Sequence, residues 1–182
     1  KSWAYADVGK HYDFDQQRAI DRILSPLVLP HLPVHIDLTT TPLFTTQAEK
    51  IKEAWESFGQ RAATQCQASS TVKDKTLCNN TKIQVNIKIS YFPDLSNYQV
   101  LLIGETSPTD PDQYQLWHSL PVTNFTHYKN VRIDSLLEKG RQIEDQKKRF
   151  EIYSEFQQFF SEDAPVIFLQ YLYKYDITRK GK

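Results

Sequence analysis

The chain has 182 residues with 22 Lys and Arg against 22 Asp and Glu, and its isoelectric point of about 7.1 leaves no basic surplus for nucleic acid or anionic lipid. Its length suits one compact domain of about 100–200 residues with a real core. No run approaches the ~20 apolar residues of a membrane helix, and the longest, around 166–169, reads as a buried strand.

The first element predicted is a helix over 15–24, with an acidic start and apolar residues at 14, 20, 23, 24 and 27. Pro26, Pro30 and Pro33 end it and hand over to a strand at 34–40. An amphipathic helix over 45–58 follows, with Ala48, Ile51, Ala54, Trp55 and Phe58 on one stripe and Gly59 as its C-cap. A short strand at 61–66, parallel to the first, would complete a right-handed strand–helix–strand unit. Ile83, Val85, Ile87 and Ile89 alternate with polar residues, the clearest strand signal in the chain. Residues 98–103 read as a more fully buried strand. Two helices are expected at 133–143 and 146–160, with Pro165 breaking out of the second and Val166–Leu172 forming an interior strand. The expected architecture is α/β, one domain with a mixed sheet flanked by helices.

The segment 104–119, GETSPTDPDQYQLWHS, follows the apolar strand YQVLLI. Recognition groups in α/β proteins sit at the carboxyl ends of strands, in turns of this kind. Pro108 and Pro111 stiffen the turn, and Asp110 is placed to cap a short helix that begins at Pro111 and carries Tyr114 and Trp117 on one face. A plain strand–loop–helix junction with an aromatic core stripe is the alternative.

Enzymatic constellations are hard to assemble from these residues. His31 and His35 are separated by Pro33, and on an extended chain they lie ~13 Å apart, too far for one metal. His118 and Ser119 are neighbours, which on a helix do not face each other. With five glycines, neither a nucleophile elbow nor a glycine-rich loop is present. Glu144, Glu151 and Glu155 suit solvated pairing with Lys147 and Lys148. Asp110 and Asp112 suggest calcium only in fragment, and helix capping accounts for them better. Tyr171, Tyr173 and Tyr175 alternate and would line an edge, a partner surface or the core. A binding module asks for less: a concave, mostly apolar surface with a few fixed polar groups.

Four segments in register carry a resemblance. They are SWAY at 2–5 with YDFDQQRAIDRIL, the DPDQYQLWHS turn, NFTHYKNVRIDSLLEKGR, and KKRFEIYSEFQQFFSEDAPVIFLQ. In this order they resemble the C-terminal lobe of the family 5 extracellular solute-binding proteins, the oligopeptide- and dipeptide-binding class of ABC importers. The resemblance runs roughly from Ser2 to Arg179 and is weakest between Ala62 and Lys82. It implies a periplasmic-binding-protein-like (type II) fold, with 1–182 as the C-terminal lobe of a two-lobed protein. The chain begins at Lys1 and lacks Met, which fits a fragment or mature segment, and the resemblance implies an N-terminal lobe and an anchoring segment outside it.

The implied function is non-catalytic: extracytoplasmic solute binding, with hinge closure of the lobes and delivery to a membrane permease. No cofactor or nucleic acid is called for. Glu105, Thr106, Ser107, Tyr114, Trp117 and His118 are the expected ligand-binding residues. Where peptide-binding members often place an Asp for the ligand's α-ammonium, this chain has Ser107, which cannot supply charge. Glu105 points to the same face of an extended segment and can take that part. The competing function is a secreted or surface interaction or adhesion module on the same fold. Cys66 and Cys78 bracket the polar loop QASSTVKDKTL. In an extracytoplasmic chain a disulfide there is expected, at roughly 2–3 kcal/mol of stabilisation, with two buried thiols as the alternative. N-x-T sequons stand at Asn79 and Asn124.

Overall fold

The computed structural model describes residues 2–9, 11–32, 35–106 and 110–170. The chain divides into two compact units, 12–107 and 1–11 with 108–182. Among the described residues no helix is long and apolar enough to cross a membrane.

In the unit of residues 12–107, helix α1 (Gln16–Ile23) starts where Asp15 accepts a hydrogen bond from the Arg18 amide at 2.9 Å, and it buries Ile20. Strand β1 (His35–Thr40) is the centre of a three-stranded sheet of order β2-β1-β3, with β2 at Gln84–Ile89 and β3 at Val100–Leu102. Both neighbours run parallel to β1. Leu38 and Val85 pack with Ala48 of helix α2 (Thr45–Ala68) into the core beneath the sheet. Thr40 is fully buried and satisfies its hydroxyl by donating to the Leu102 carbonyl at 2.8 Å. On the outer edge of β2, Val85 is occupied from α2. Its N–H donates to Glu56 Oε1 at 2.9 Å, and its carbonyl accepts from Lys52 Nζ at 2.8 Å. Those two side chains close the edge strand near its start.

Helix α2 corrects the expectation of a break at Gly59 and a strand over 61–66. It runs unbroken over Thr45–Ala68. Ala48, Gly59, Ala62, Ala63 and Cys66 are its buried residues, so small side chains continue the helical spacing through the expected strand. Gly59 serves a close approach. A Cβ there would stand 2.4 Å from the Thr81 carbonyl oxygen and 2.9 Å from the Ile83 nitrogen. Beyond the helix a 3-10 segment, Lys75–Thr81, returns the chain to β2, and Cys66 and Cys78 are joined in a disulfide with Cα atoms 5.5 Å apart. Lys75 Nζ donates to the carbonyls of Cys66, which also accepts from the Ser69 N–H, and of Ser69, at the end of α2.

In the other unit, α3 (Tyr114–Trp117), α4 (Val131–Gln142) and α5 (Gln146–Asp163) surround a core of Trp117, Ile133, Leu136, Leu137, Tyr153, Phe156 and Phe160. Asn130 caps α4 through the Arg132 and Ile133 amides, and Asp145 caps α5 through the Lys148 amide. The N-terminal residues are strapped to α5. Gln157 Nε2 donates to the Ala4 carbonyl at 2.8 Å, and the Ala6 N–H donates to Gln157 Oε1 at 3.1 Å. The α5 helix ends in a left-handed Ala164, just before Pro165 as expected.

The strand expected next does not form over its described part. Residues 166–170 have no ladder partner among the described residues, and Ile167 is 80 % exposed, with Phe168 and Leu169 also at the surface. An apolar run is buried only where neighbouring elements cover it. Here Val166 packs against the core and the Phe168 ring lies 6.4 Å from Phe160 of α5, but Ile167 and Leu169 stay largely uncovered by the described residues. Residues 171 and 172, with Tyr173 and Tyr175, lie outside the described residues.

Candidate functional site

Parallel strands deliver their carboxyl ends to one edge. The register makes this concrete, since Thr40 pairs with Ile89 on one side and with Leu102 on the other. Three loops therefore leave the sheet at one level. The loop after β1 exposes Leu43, while Phe44 stays buried. Gly104 lies directly on the Phe44 ring, and a Cβ at Gly104 would come within 2.8 Å of Phe44 Cζ. The loop after β2 exposes Tyr91 at 79 % and Phe92 at 92 %.

This second loop is shaped by its own short side chains. Ser90 extends the ladder by donating to the Thr40 carbonyl at 2.9 Å and accepts from the Phe92 N–H at 3.2 Å. Asp94 accepts from the Ser96 amide and hydroxyl, which holds its carboxyl below the usual carboxylate range. The loop after β3 exposes Glu105 and Thr106. Ser107, expected beside them, lies outside the described residues.

The second part of the expected site belongs to the other unit. There the acidic pair of the DPD turn is engaged by arginines. Arg149 binds Asp110 bidentately, with Nη1 and Nη2 at 3.1 and 2.8 Å from its two oxygens, and this holds the Asp110 carboxyl below its ordinary range. Arg141 Nε stands 3.2 Å from Asp112 Oδ2 while its guanidinium lies 4.4 Å over the Tyr114 ring. Helix α3 begins at Tyr114 rather than at Pro111. Asp110 accepts from the Asp112 N–H, and it is Asp112 that reaches the first helical amide, at Tyr114. Each aspartate thus faces an arginine, which is no setting for calcium. Among the described residues no group of three or more His, Cys, Asp or Glu is placed to hold a metal.

Trp117 and His118 turn inward. The Trp117 indole is 9 % exposed and meets Phe160 edge-on at 4.7 Å, so within this unit the ring packs the core. His118 is 2 % exposed. The Leu120 N–H donates to its Nδ1 at 3.2 Å, which puts the ring proton on Nε2, 3.2 Å from Glu138 Oε1. Its ring stacks on Tyr114 at 4.1 Å. Tyr114 is half-buried between His118 and Arg141.

The expected site residues are therefore distributed. Glu105 and Thr106 stand exposed at the sheet edge, Tyr114 is half-covered, and Trp117 and His118 are enclosed by their own unit. Leu43, Tyr91 and Phe92 were not among the candidates. Their signal was available: an alternating strand ending at Ser90, then two aromatics and Pro93.

No family model matches the chain. It is 32% identical over 78 residues to the oligopeptide-binding protein AppA of Bacillus subtilis, which covers 41% of this chain and 14% of that protein. It is 24% identical over 197 residues to the peptide transport periplasmic protein SapA of Salmonella typhimurium, covering 97% of this chain and 32% of that one. Among solved structures, NikZ from Campylobacter jejuni in complex with Ni(L-His) matches with a TM-score of 0.65 and 20% identity, over 90% of this chain and 33% of its own. That likeness carries the fold. The chain spans at most about a third of the length of the relatives it matches. In sequence and fold alike its relatives are family 5 solute-binding proteins with the periplasmic-binding-protein-like type II architecture, and the chain is homologous to a part of them.

Proposed function

We propose that this chain supplies one wall of the solute-binding cleft of an extracytoplasmic receptor for ATP-driven import, acting as the C-terminal lobe of a two-lobed protein. The reading is non-catalytic. A solute is held between lobes, closure of the hinge marks the loaded state, and a membrane permease receives the cargo. The observation that supports it is the carboxyl edge of the sheet, where three parallel strands end level and the loops beyond them expose Leu43, Tyr91, Phe92 and Glu105. Such an edge is where open α/β sheets take ligands, and exposed aromatic side chains beside a carboxylate are the materials of a binding wall. The relatives agree in kind, being named for oligopeptide binding and for peptide transport.

Calorimetry tests this on the full-length protein and on the present chain. One wall buries only part of a ligand, so the chain alone should bind in the millimolar range. The full-length protein should reach micromolar affinity for its solute, a difference of about 4 kcal/mol. Equal, weak binding by both to peptides and to metal–histidine complexes would overturn the receptor reading.

A further inference from the structure

A wall made of loops is only as well placed as the rigid element that holds the loops. At the carboxyl edge that element is the end of the central strand. Thr40 is fully buried there and reaches both neighbouring strands. Its carbonyl accepts from the N–H of Ser90, the residue after β2, at 2.9 Å. Its hydroxyl donates to the carbonyl of Leu102, the last residue of β3, at 2.8 Å. The Thr40 carbonyl faces β2, so the side chain supplies this link to β3. Both bonds lie where the ladders end, since Thr40 pairs with Ile89 and with Leu102.

Phe44 repeats the arrangement in apolar form. It is buried at the foot of α2, where its N–H donates to the Thr41 carbonyl at 3.0 Å. The loop after β3 rests on its ring, because Gly104 has no side chain to keep them apart. A Cβ there would stand 2.8 Å from Phe44 Cζ and 3.3 Å from Cε2. A directional hydrogen bond at Leu102 and a ring contact at Gly104 thus hold one loop from the same short segment, 40–44, that holds the start of the other at Ser90.

We propose that Thr40 and Phe44 are positioning residues of the solute wall. Being buried, neither meets a solute. They set where the exposed side chains at 91 and 92 stand relative to those at 105 and 106. Their role rests on the solute-binding reading for its purpose, whereas the placement of the loops exists without any solute. Loosening either residue moves the loop after β3 while the core of Leu38, Ala48 and Val85 keeps the sheet folded.

The test is amide-resolved NMR of the isotopically labelled full chain with no solute present. Thr40→Val keeps the branched shape and loses the hydroxyl, and it should shift the amides of residues 103–106. Thr40→Ser, which retains the hydroxyl, should recover most of the parent positions. Gly104→Ala should shift residue 44 and residues 103–106. Adding Phe44→Leu, whose side chain lacks the Cζ atom in the way, should return 105 and 106 towards the parent. A lowered melting temperature with unmoved amides at 105 and 106 would mean that Thr40 only stabilises the sheet, which overturns the positioning role. Failure of Phe44→Leu to relieve Gly104→Ala overturns the part given to the ring. In the full-length protein, calorimetry with trialanine and with nickel–histidine reads the consequence. Thr40→Val should weaken whichever the parent binds about three- to tenfold, the range of one hydrogen bond, and Thr40→Ser should recover most of that loss. Moved loops with unchanged affinity overturn the role in binding. A full-length parent that binds neither probe counts against the receptor reading, and the spectra still decide what places the loops.

Discussion

Gly59 sits in the middle of a 24-residue helix, where general propensity says alanine should be better by about 1 kcal/mol. The packing opposes it. A methyl group at Gly59 would lie 2.4 Å from the Thr81 oxygen and 2.9 Å from the Ile83 nitrogen, both backbone atoms. Those two atoms are also bonded to each other, the Ile83 N–H donating to the Thr81 carbonyl at 2.9 Å. Retreat is hindered further along the same segment, because Thr81 is fully buried, its hydroxyl donates to the Cys78 carbonyl, and Cys78 is bonded to Cys66 of the same helix. Overpacking of this kind costs roughly 1–3 kcal/mol and should exceed the propensity gain. Gly59→Ala should therefore lower the melting temperature by about 2–4 °C for each net kcal/mol. Thr64→Ala, on the exposed side of the helix, should raise it slightly, since the gain in propensity outweighs the exposed hydrogen bond from the Thr64 hydroxyl back to the Gln60 carbonyl. Thermal and urea melts of both variants decide the matter. A Gly59→Ala protein as stable as the parent would refute the close approach. Repeating the substitution without the disulfide asks what holds Thr81 in place: a smaller penalty there assigns that role to the Cys66–Cys78 bridge.

Two further outcomes follow from the structure. Ile167→Asn should change stability by no more than about 0.5 kcal/mol, because the side chain is largely exposed, and a loss near 2 kcal/mol in a urea melt would restore the buried strand that the sequence suggests. The Asp110–Arg149 pair should make stability acid-sensitive. The folded-state pKa of Asp110 lies below its unfolded value of about 3.9, so the contribution is fully present above that value and is lost as pH falls through the folded one. With Asp110 more than half exposed, the contribution is about 0.2–1 kcal/mol, and Asp110→Asn should flatten the acid limb of a stability–pH curve by that amount. An unchanged acid limb would mean that the pair contributes nothing.

The parts of the fold legible in the sequence are those with a strong local period or a cap. The alternation from Ile83 to Ile89 marks β2, and Asp15 marks the start of α1. Helix α2 was misread past Phe58 for a physical reason. Its inner face beyond that point is built from Gly59, Ala62, Ala63 and Cys66, side chains too small to register as an apolar stripe, and a glycine inside a helix looks like its end. Its real purpose depends on Thr81, more than twenty positions away, which no local rule reaches. The run after Pro165 failed in the opposite sense. Apolar residues there read as a buried strand, yet burial is a property of what lies alongside, and among the described residues nothing covers Ile167.

The candidate site shows the same division between chemistry and placement. Trp117 and His118 attract attention because indole and imidazole serve ligands well, but they serve cores equally well. What decides is Glu138, twenty residues along and one helix away, which accepts from the His118 ring and holds it inward. Glu105 is the opposite case. Its residue type says little, since carboxylates are plentiful in this chain, and it stands out only once the other acids of the segment are seen to be engaged: Asp94 by Ser96, Asp110 by Arg149, Asp112 by Arg141. A carboxylate that the described residues leave unpaired at the carboxyl edge of a parallel sheet retains its capacity to accept from something else. The aromatic pair at the end of β2 has the same logic in apolar form. Burying Tyr91 and Phe92 would have been favourable for the fold, at about 1.5–3 kcal/mol for a large apolar side chain, and the loop instead holds them out.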